Sequence, residues 1–172
     1  MKTEQKRISL ESIVRNDYHE KMYTPAADGY LNKSLERSGG KPINNLVVIR
    51  AKIHKGKYEL VSGGTRYDFM VKNGVKDCEV TLIYLEANDS VEDLVVDLNK
   101  QRIKTGYELY NEFKHFSKKY PPIKGGSLNR NVEIGLEMDF SPEKVKKLVM
   151  LYNQFDNTEF EFLIPWVLQN KI

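Results

Sequence analysis

Four stretches of the chain combine residue types that could do chemistry. The most pointed is Ser62-Gly63-Gly64-Thr65-Arg66-Tyr67, which follows the β-rich run Tyr58-Glu59-Leu60-Val61-Ser62 and opens a helical segment. Paired glycines let the backbone approach a ligand, a helix start offers free N–H groups, and Thr65 and Arg66 add a hydroxyl and a guanidinium. Phosphate is the natural guest of such a cradle, although a Gly-Gly turn is more often simply a turn. A second glycine turn, Gly39-Gly40-Lys41-Pro42-Ile43, stands between a helical segment and a strand. A third stretch, Asn99-Lys100-Gln101-Arg102, ends a helix with polar groups that face either a ligand or water. The fourth spans two helical segments around 130–139 and 141–155. There Ile134-Gly135, Asp139-Phe140-Ser141 and Val145 have the spacing of a helix-turn-helix, with an ordinary helical hairpin the equal alternative. In a helix-turn-helix the second helix would present Ser141, Glu143, Lys144 and Lys147 to base edges.

The elements that must position these groups are legible from periodicity. Leu46–Arg50 and Tyr58–Ser62 read as strands joined by a hairpin turn at His54-Lys55-Gly56-Lys57, and Glu79–Leu85 reads as a third strand. Helices are expected over Asp28–Ser38 and Thr65–Asn73, each closed by glycine. Ser90 and Asp93 resemble a capping box ahead of an apolar stripe of Val91, Leu94, Val95 and Leu98. Thr105 and Glu108 repeat that signal before Leu109, Tyr110, Phe113, Phe116 and Tyr120, and Pro121-Pro122 stops the helix. Ser141-Pro142 opens another helix carrying Val145, Leu148, Val149 and Tyr152. The expectation is an α+β first part and an all-helical second part, with the boundary near 86–104.

Composition narrows the class. The 172 residues are 40% hydrophobic and 30% charged, as in a globular protein. The single cysteine, Cys78, excludes a disulfide framework and any cysteine-based zinc site. His19, His54 and His115 are scattered without metal-ligand spacing, and no metal site is read. No apolar run is long enough to span a bilayer, and the start Met1-Lys2-Thr3-Glu4 lacks the apolar core of a signal peptide, so no membrane partner and a cytoplasmic location are expected. The net charge of +3 is uneven. Residues 100–130 hold eight basic side chains against Glu108 and Glu112, while residues 131–172 are net acidic. That basic stretch is either a face for an anionic partner or a solvated helix surface.

Taken in order, these features resemble the ParB family of chromosome and plasmid partition proteins, within the ParB/sulfiredoxin superfamily. Ile8–Val14 is similar to the opening strand and turn of the family's N-terminal domain. Ser34–Ile43 is similar to its helix and G-x-x-P-I turn, and Tyr58–Arg66 stands where the family has Y-x-L-V-A-G-E-R-R. Leu98–Arg102 stands where the family has E-N-x-x-R, and the helix-turn-helix follows. The resemblance covers roughly residues 8–152. It implies a nucleotide-binding domain over 1–103 and a helical DNA-binding domain over 104–172, with the helix-turn-helix at about 130–153. The nucleotide implied is CTP, contacted by Gly40, Lys41 and Pro42, by Gly63, Gly64, Thr65 and Arg66, and by Asn99 and Arg102. On the DNA side the implied residues are Lys124 and Arg130 for phosphates, with Ser141, Lys144 and Lys147 from the second helix.

The chain also departs from the family. Gly64 and Thr65 replace the glutamate and first arginine of G-E-R-R, and Leu98 replaces the metal-associated glutamate. This weakens the case for Mg²⁺ held as in the family and leaves at most a weak CTPase. Sulfiredoxin activity is not expected, because Thr65 stands where that enzyme needs cysteine. The apolar tail Phe160–Leu168 is expected either to finish the helical core or to form a protein interface, a homodimer included, and the sequence reads as a fragment or as a compact relative of partition proteins. The function expected is nucleotide-governed DNA binding in partition or gene control on a chromosome, plasmid or mobile element. Two rivals are an enzyme on the same scaffold, for phosphotransfer or DNA cleavage, and an adaptor that binds only protein.

Overall fold

Strand β5 (Asp77–Tyr84) shows why the sheet forms: Cys78, Val80 and Leu82 point into the core while Asp77 and Glu79 face solvent. The computed structural model describes residues 1–23, 44–100, 104–122, 127–159 and 161–170. Around β5 lie β1 (Lys2–Ser9), β2 (Ile13–Arg15), β3 (Leu46–Arg50) and β4 (Tyr58–Ser62), in the order β1-β5-β3-β4-β2. The β1/β5 and β3/β4 pairs are antiparallel, and β3/β5 and β2/β4 are parallel. The core joins Ile8, Leu10, Ile13, Leu46, Val48, Leu60, Met70, Val80 and Leu82.

β1 begins at Lys2, well before the Ile8 at which the sequence shows a strand. It is an edge strand whose exposed Lys2, Glu4 and Arg7 mask the apolar alternation that marks interior strands. Its register is held by the full backbone ladder from Lys2 opposite Tyr84 to Ser9 opposite Asp77.

Helix α1 (Asp17–Met22) follows β2 and is capped by Asn16, whose side chain accepts from the His19 N–H. Six residues are too few for a periodic signal, so the helix escapes pattern reading. Helix α2 (Gly64–Lys72) follows β4 directly. Helix α3 (Val91–Asn99) starts as expected, with Ser90 Oγ accepting from the Asp93 N–H at 3.1 Å. Its buried face is displaced from the expected stripe: Leu94, Val95, Val96 and Asn99 are buried and Leu98 is only half-buried. The helix expected over 28–38 and the turn at 39–43 lie outside the described residues.

The chain divides into two compact units, Met1–Asn99 and Lys100–Ile172. The second contains α4 (Gly106–Lys119), α5 (Ser127–Met138), α6 (Pro142–Phe155) and α7 (Leu163–Asn170). Thr105 and Glu108 form the full capping box at the start of α4, which buries Tyr110, Phe113 and Phe116. The tail splits its apolar residues: Ile164 and Leu168 of α7 are buried, while Phe162 and Trp166 are exposed. Among the described residues no helix is long and apolar enough to cross a membrane.

α4 and α7 meet so closely at Gly106 that a Cβ there would overlap the Pro165 carbonyl oxygen. Backbone on both sides leaves nothing able to rotate away. Gly106→Ala is therefore expected to destabilise the helical unit by about 1–3 kcal/mol, read as a lower urea midpoint with an unchanged slope.

Candidate functional site

The turn from β4 into α2 is built around Gly63, which caps the helix with φ 101°, a left-handed conformation that favours glycine. Space makes the same demand, since a Cβ at this position would sit 2.8 Å from Leu46 Cδ2. The first helical bond of α2 runs from the Tyr67 N–H to the Gly63 carbonyl at 2.9 Å. The N–H groups of Gly64, Thr65 and Arg66 thus have no acceptor within the helix, and Gly63 at the cap has no side chain to offer them one. Among the described residues no side-chain cap covers the positive end of this helix.

Arg66 turns back from the helix. Its Nη1 donates to the carbonyls of Asn44 and, at 3.0 Å, Asn45. Burial pushes its pKa down, but a guanidinium stays charged. The side chain thereby ties the α2 turn to the segment entering β3, the residues just after the Gly39–Ile43 turn of the sequence.

Two side chains not singled out in the sequence converge on the same turn. Where a Cβ would stand on Gly64, His19 Cε1 would be 3.4 Å away and Arg15 Nη1 3.7 Å away. Arg15 donates to Glu20 Oε1 at 2.6 Å and to Asp68 Oδ1, and it lies 5.6 Å from the Tyr67 ring centre. Burial opposes its charge, but the bonds to Asp68 and Glu20 outweigh that and raise its pKa. His19 is buried, with its Nδ1 3.5 Å from Glu20 Oε1. The Asn16 cap ahead of Asp17 is a local signal that could have marked this corner in the sequence. A cavity of about 400 Å³ opens beside Arg15, but Asp17, Glu59, Asp89 and Glu92 outnumber the cations lining it, so its charge does not suit phosphate.

The end of α3 is different in kind. Asn99 is buried and its amide donates to the Val95 carbonyl at 2.7 Å, a bond within its own helix. Leu98 beside it is hydrocarbon, so this pair does not fit a magnesium ion, which prefers oxygen ligands. Among the described residues no cluster of three His, Cys, Asp or Glu side chains is placed to hold a metal. Gly40, Lys41, Pro42, Arg102 and Lys124 lie outside the described residues.

In the helical unit, Asp139 takes a left-handed φ of 56° after α5, and the Phe140 N–H returns to the Gly135 carbonyl at 2.8 Å. A Cβ on Gly135 would lie 2.5 Å from the Phe140 carbonyl, so the small residue accommodates the turn's own backbone. Ser141 caps α6 by accepting from the Lys144 N–H. Lys144 lies over the Phe140 ring at 3.6 Å, and burial lowers its pKa. Lys147 is exposed. Arg130 donates to the Tyr120 carbonyl at 2.7 Å.

The basic excess of residues 100–130 is partly answered within the unit. Lys100 and Lys119 both pair with Glu137, Lys104 with the buried Glu112, and Lys114 with Glu161. Charge counting along the chain could not see this, because Glu137 and Glu161 come from the acidic stretch that follows.

No family model matches the chain, and no curated protein matches it in sequence. Solved structures do match in fold. A pNOB8-like ParB N-domain aligns with a TM-score of 0.69 at 16% identity, over 99% of this chain and 75% of that one. A second pNOB8-like ParB N-domain structure gives 0.61 at 17% identity, over 99% and 70%. The C-terminally truncated ParB of Caulobacter crescentus, bound to the centromeric parS site, gives 0.55 at 16% identity, over 88% and 73%. The mixed sheet, the uncapped α2 and the helices that follow thus define an α+β protein with the fold of the ParB N-domain.

Glu137 offers a test of the ion-pair network. Burial would raise its carboxyl, but hydrogen bonds from Lys100, Tyr120 and Lys119 outweigh this and hold it at about 2. A folded pKa below the unfolded one gives stability that is present above the ordinary value of 4.5 and is lost as pH falls from there towards 2. Glu137→Gln should therefore flatten the pH dependence of unfolding in that window and leave the slope above pH 5 unchanged.

Proposed function

We propose that this chain is a ParB-type DNA-binding protein, in partition or gene control, whose hold on DNA is governed by a nucleotide bound in residues 1–103. The single observation that carries this reading is an uncapped helix start, at a double glycine directly after β4, within a ParB N-domain fold. In the proposed site the N–H groups of Gly64, Thr65 and Arg66 receive phosphate, and the Thr65 hydroxyl adds a donor. Arg66 shapes the turn through Asn44 and Asn45, so its part is positioning. Gly40, Lys41, Pro42, Asn99 and Arg102 complete the site in the reading carried over from the resemblance. CTP is the first nucleotide to test, and Leu98 argues against efficient hydrolysis.

Residues 104–172 form the DNA-binding part of the proposal, with α5, the turn at Asp139 and α6 as the helix-turn-helix. The 2.8 Å return of Phe140 onto Gly135 and the cap at Ser141 support that reading, as does the fold shared with a ParB whose structure holds parS DNA. Lys147, exposed on α6, is the strongest candidate for a contact at DNA. Arg130 and Lys124 are proposed phosphate contacts, while Ser141 and Lys144 orient the start of α6.

Thermal unfolding against CTP, ATP, GTP and UTP tests the first half, because a ligand bound only by the folded chain raises the midpoint by mass action. A rise selective for CTP and reduced in Arg66→Ala supports the proposal; no rise with any nucleotide overturns it. DNA affinity measured across salt concentrations tests the second half. Phosphate contacts release counterions, so log affinity should fall steeply with log salt, and Lys147→Ala should reduce that slope by about 1.

A further inference from the structure

β1 closes one side of the sheet. Its eight residues, Lys2–Ser9, pair with β5 along their whole length, and among the described residues no strand pairs with the other side. An edge of that length presents a row of backbone donors and acceptors suited to another strand. The side chains decide which strand. Ile8 is buried in the core, and the pleat puts Lys2, Glu4 and Lys6 on that same face, opposite Tyr84, Leu82 and Val80 of β5. There Glu4 accepts from the Tyr84 hydroxyl, and Lys6 Nζ lies 5.7 Å from the Tyr58 ring centre. An apolar strand laid along this edge would leave those charges unanswered, so the edge discriminates against such partners.

We propose that the partner of this edge is a second copy of the chain, joined β1 to β1 antiparallel about a two-fold axis at Gln5. Two five-stranded sheets then become one. A closed pair of this kind keeps the core faces of both copies on the same side. Residues that meet must therefore face the same way, so their numbers sum to an even value. Two such registers pair seven residues of each strand, one centred on Gln5 over residues 2–8 and one centred on Lys6 over residues 3–9. Centring on Lys6 sets that cation against itself. Centring on Gln5 sets Glu4 against Lys6 of the second copy, twice over by symmetry, and opposes no two like charges. Opposite charges across a strand pair favour it and like charges oppose it. Exposed ion pairs add little affinity, so here they choose the register while a ladder of about six backbone hydrogen bonds holds the copies. One strand pair is a small interface, and the association is weak and reversible.

The test uses the full chain without nucleotide or DNA, so its outcome is independent of the function proposed above. Oxidative cross-linking reads the register, with the natural chain and its buried Cys78 as background. Gln5→Cys sets two thiols across the axis with Cα atoms about 5 Å apart, within reach of a disulfide. Thr3→Cys, also exposed, meets Arg7 of the second copy, and its own counterpart lies about 13 Å further along the pair. Gln5→Cys should therefore yield severalfold more cross-linked dimer than Thr3→Cys. Sedimentation over a wide concentration range reads the charges. Lys6→Glu and Glu4→Lys should each weaken association severalfold, and the two together should restore it, a recovery that misfolding cannot produce. A natural chain that stays monomeric throughout, with Gln5→Cys cross-linking no faster than Thr3→Cys, overturns the proposal. So does a dimer that the paired exchange fails to restore, since its interface then lies elsewhere.

Discussion

Everything in the first unit turns on how the chain leaves β4. Gly63 must take a left-handed backbone conformation while pressed against Leu46 of the neighbouring strand, and only a residue without a side chain satisfies both demands. Once the turn is made, α2 begins directly, and Met70 towards its far end is buried in the core. Arg66 then reaches back to the carbonyls ahead of β3. One turn therefore joins strand, helix and the approach to the next strand, and it creates a positive helix end as a by-product of its geometry.

Charge is handled differently in the two units. Around α2 the Arg15 guanidinium lies between two carboxylates and the Tyr67 ring, while that of Arg66 is bonded to backbone carbonyls. In the helical unit, cations of residues 100–130 pair with carboxylates of the stretch that follows, Lys100 and Lys119 with Glu137 and Lys114 with Glu161, while Lys104 pairs with Glu112 of its own stretch in the interior. Such pairs fix helix neighbours more than they add stability. They also mean that a basic stretch in sequence is not the same thing as a basic surface.

Much of the architecture was legible before any coordinates. The strands β3 and β4 with their hairpin, the Ser90 cap of α3, the capping box of α4, the proline stop after α4 and the Ser-Pro start of α6 all follow from local rules, because each is decided by neighbours three or four residues away. The order of the glycine turns pointed to the ParB fold, and the structure has it. Less legible were β1, whose edge position lets charged residues replace the apolar alternation, and α1, which is too short to show a period. The displaced face of α3, with Asn99 buried and Leu98 half-exposed, reflects what the helix packs against rather than its own stripe.

The sequence by itself determined where the backbone could bend, start a helix or stop one, since those choices rest on the chemistry of single residues and their nearest neighbours. It therefore located the Gly63-Gly64 turn and the helices that follow it. Only the tertiary structure decided which side chains meet there. Arg66 is spent on carbonyls more than twenty residues away, and Arg15 and His19, some fifty residues before the turn, arrive beside Gly64 because β2 pairs in parallel with β4. Strand pairing is a long-range contact that no local pattern encodes, and it is what brings these side chains together.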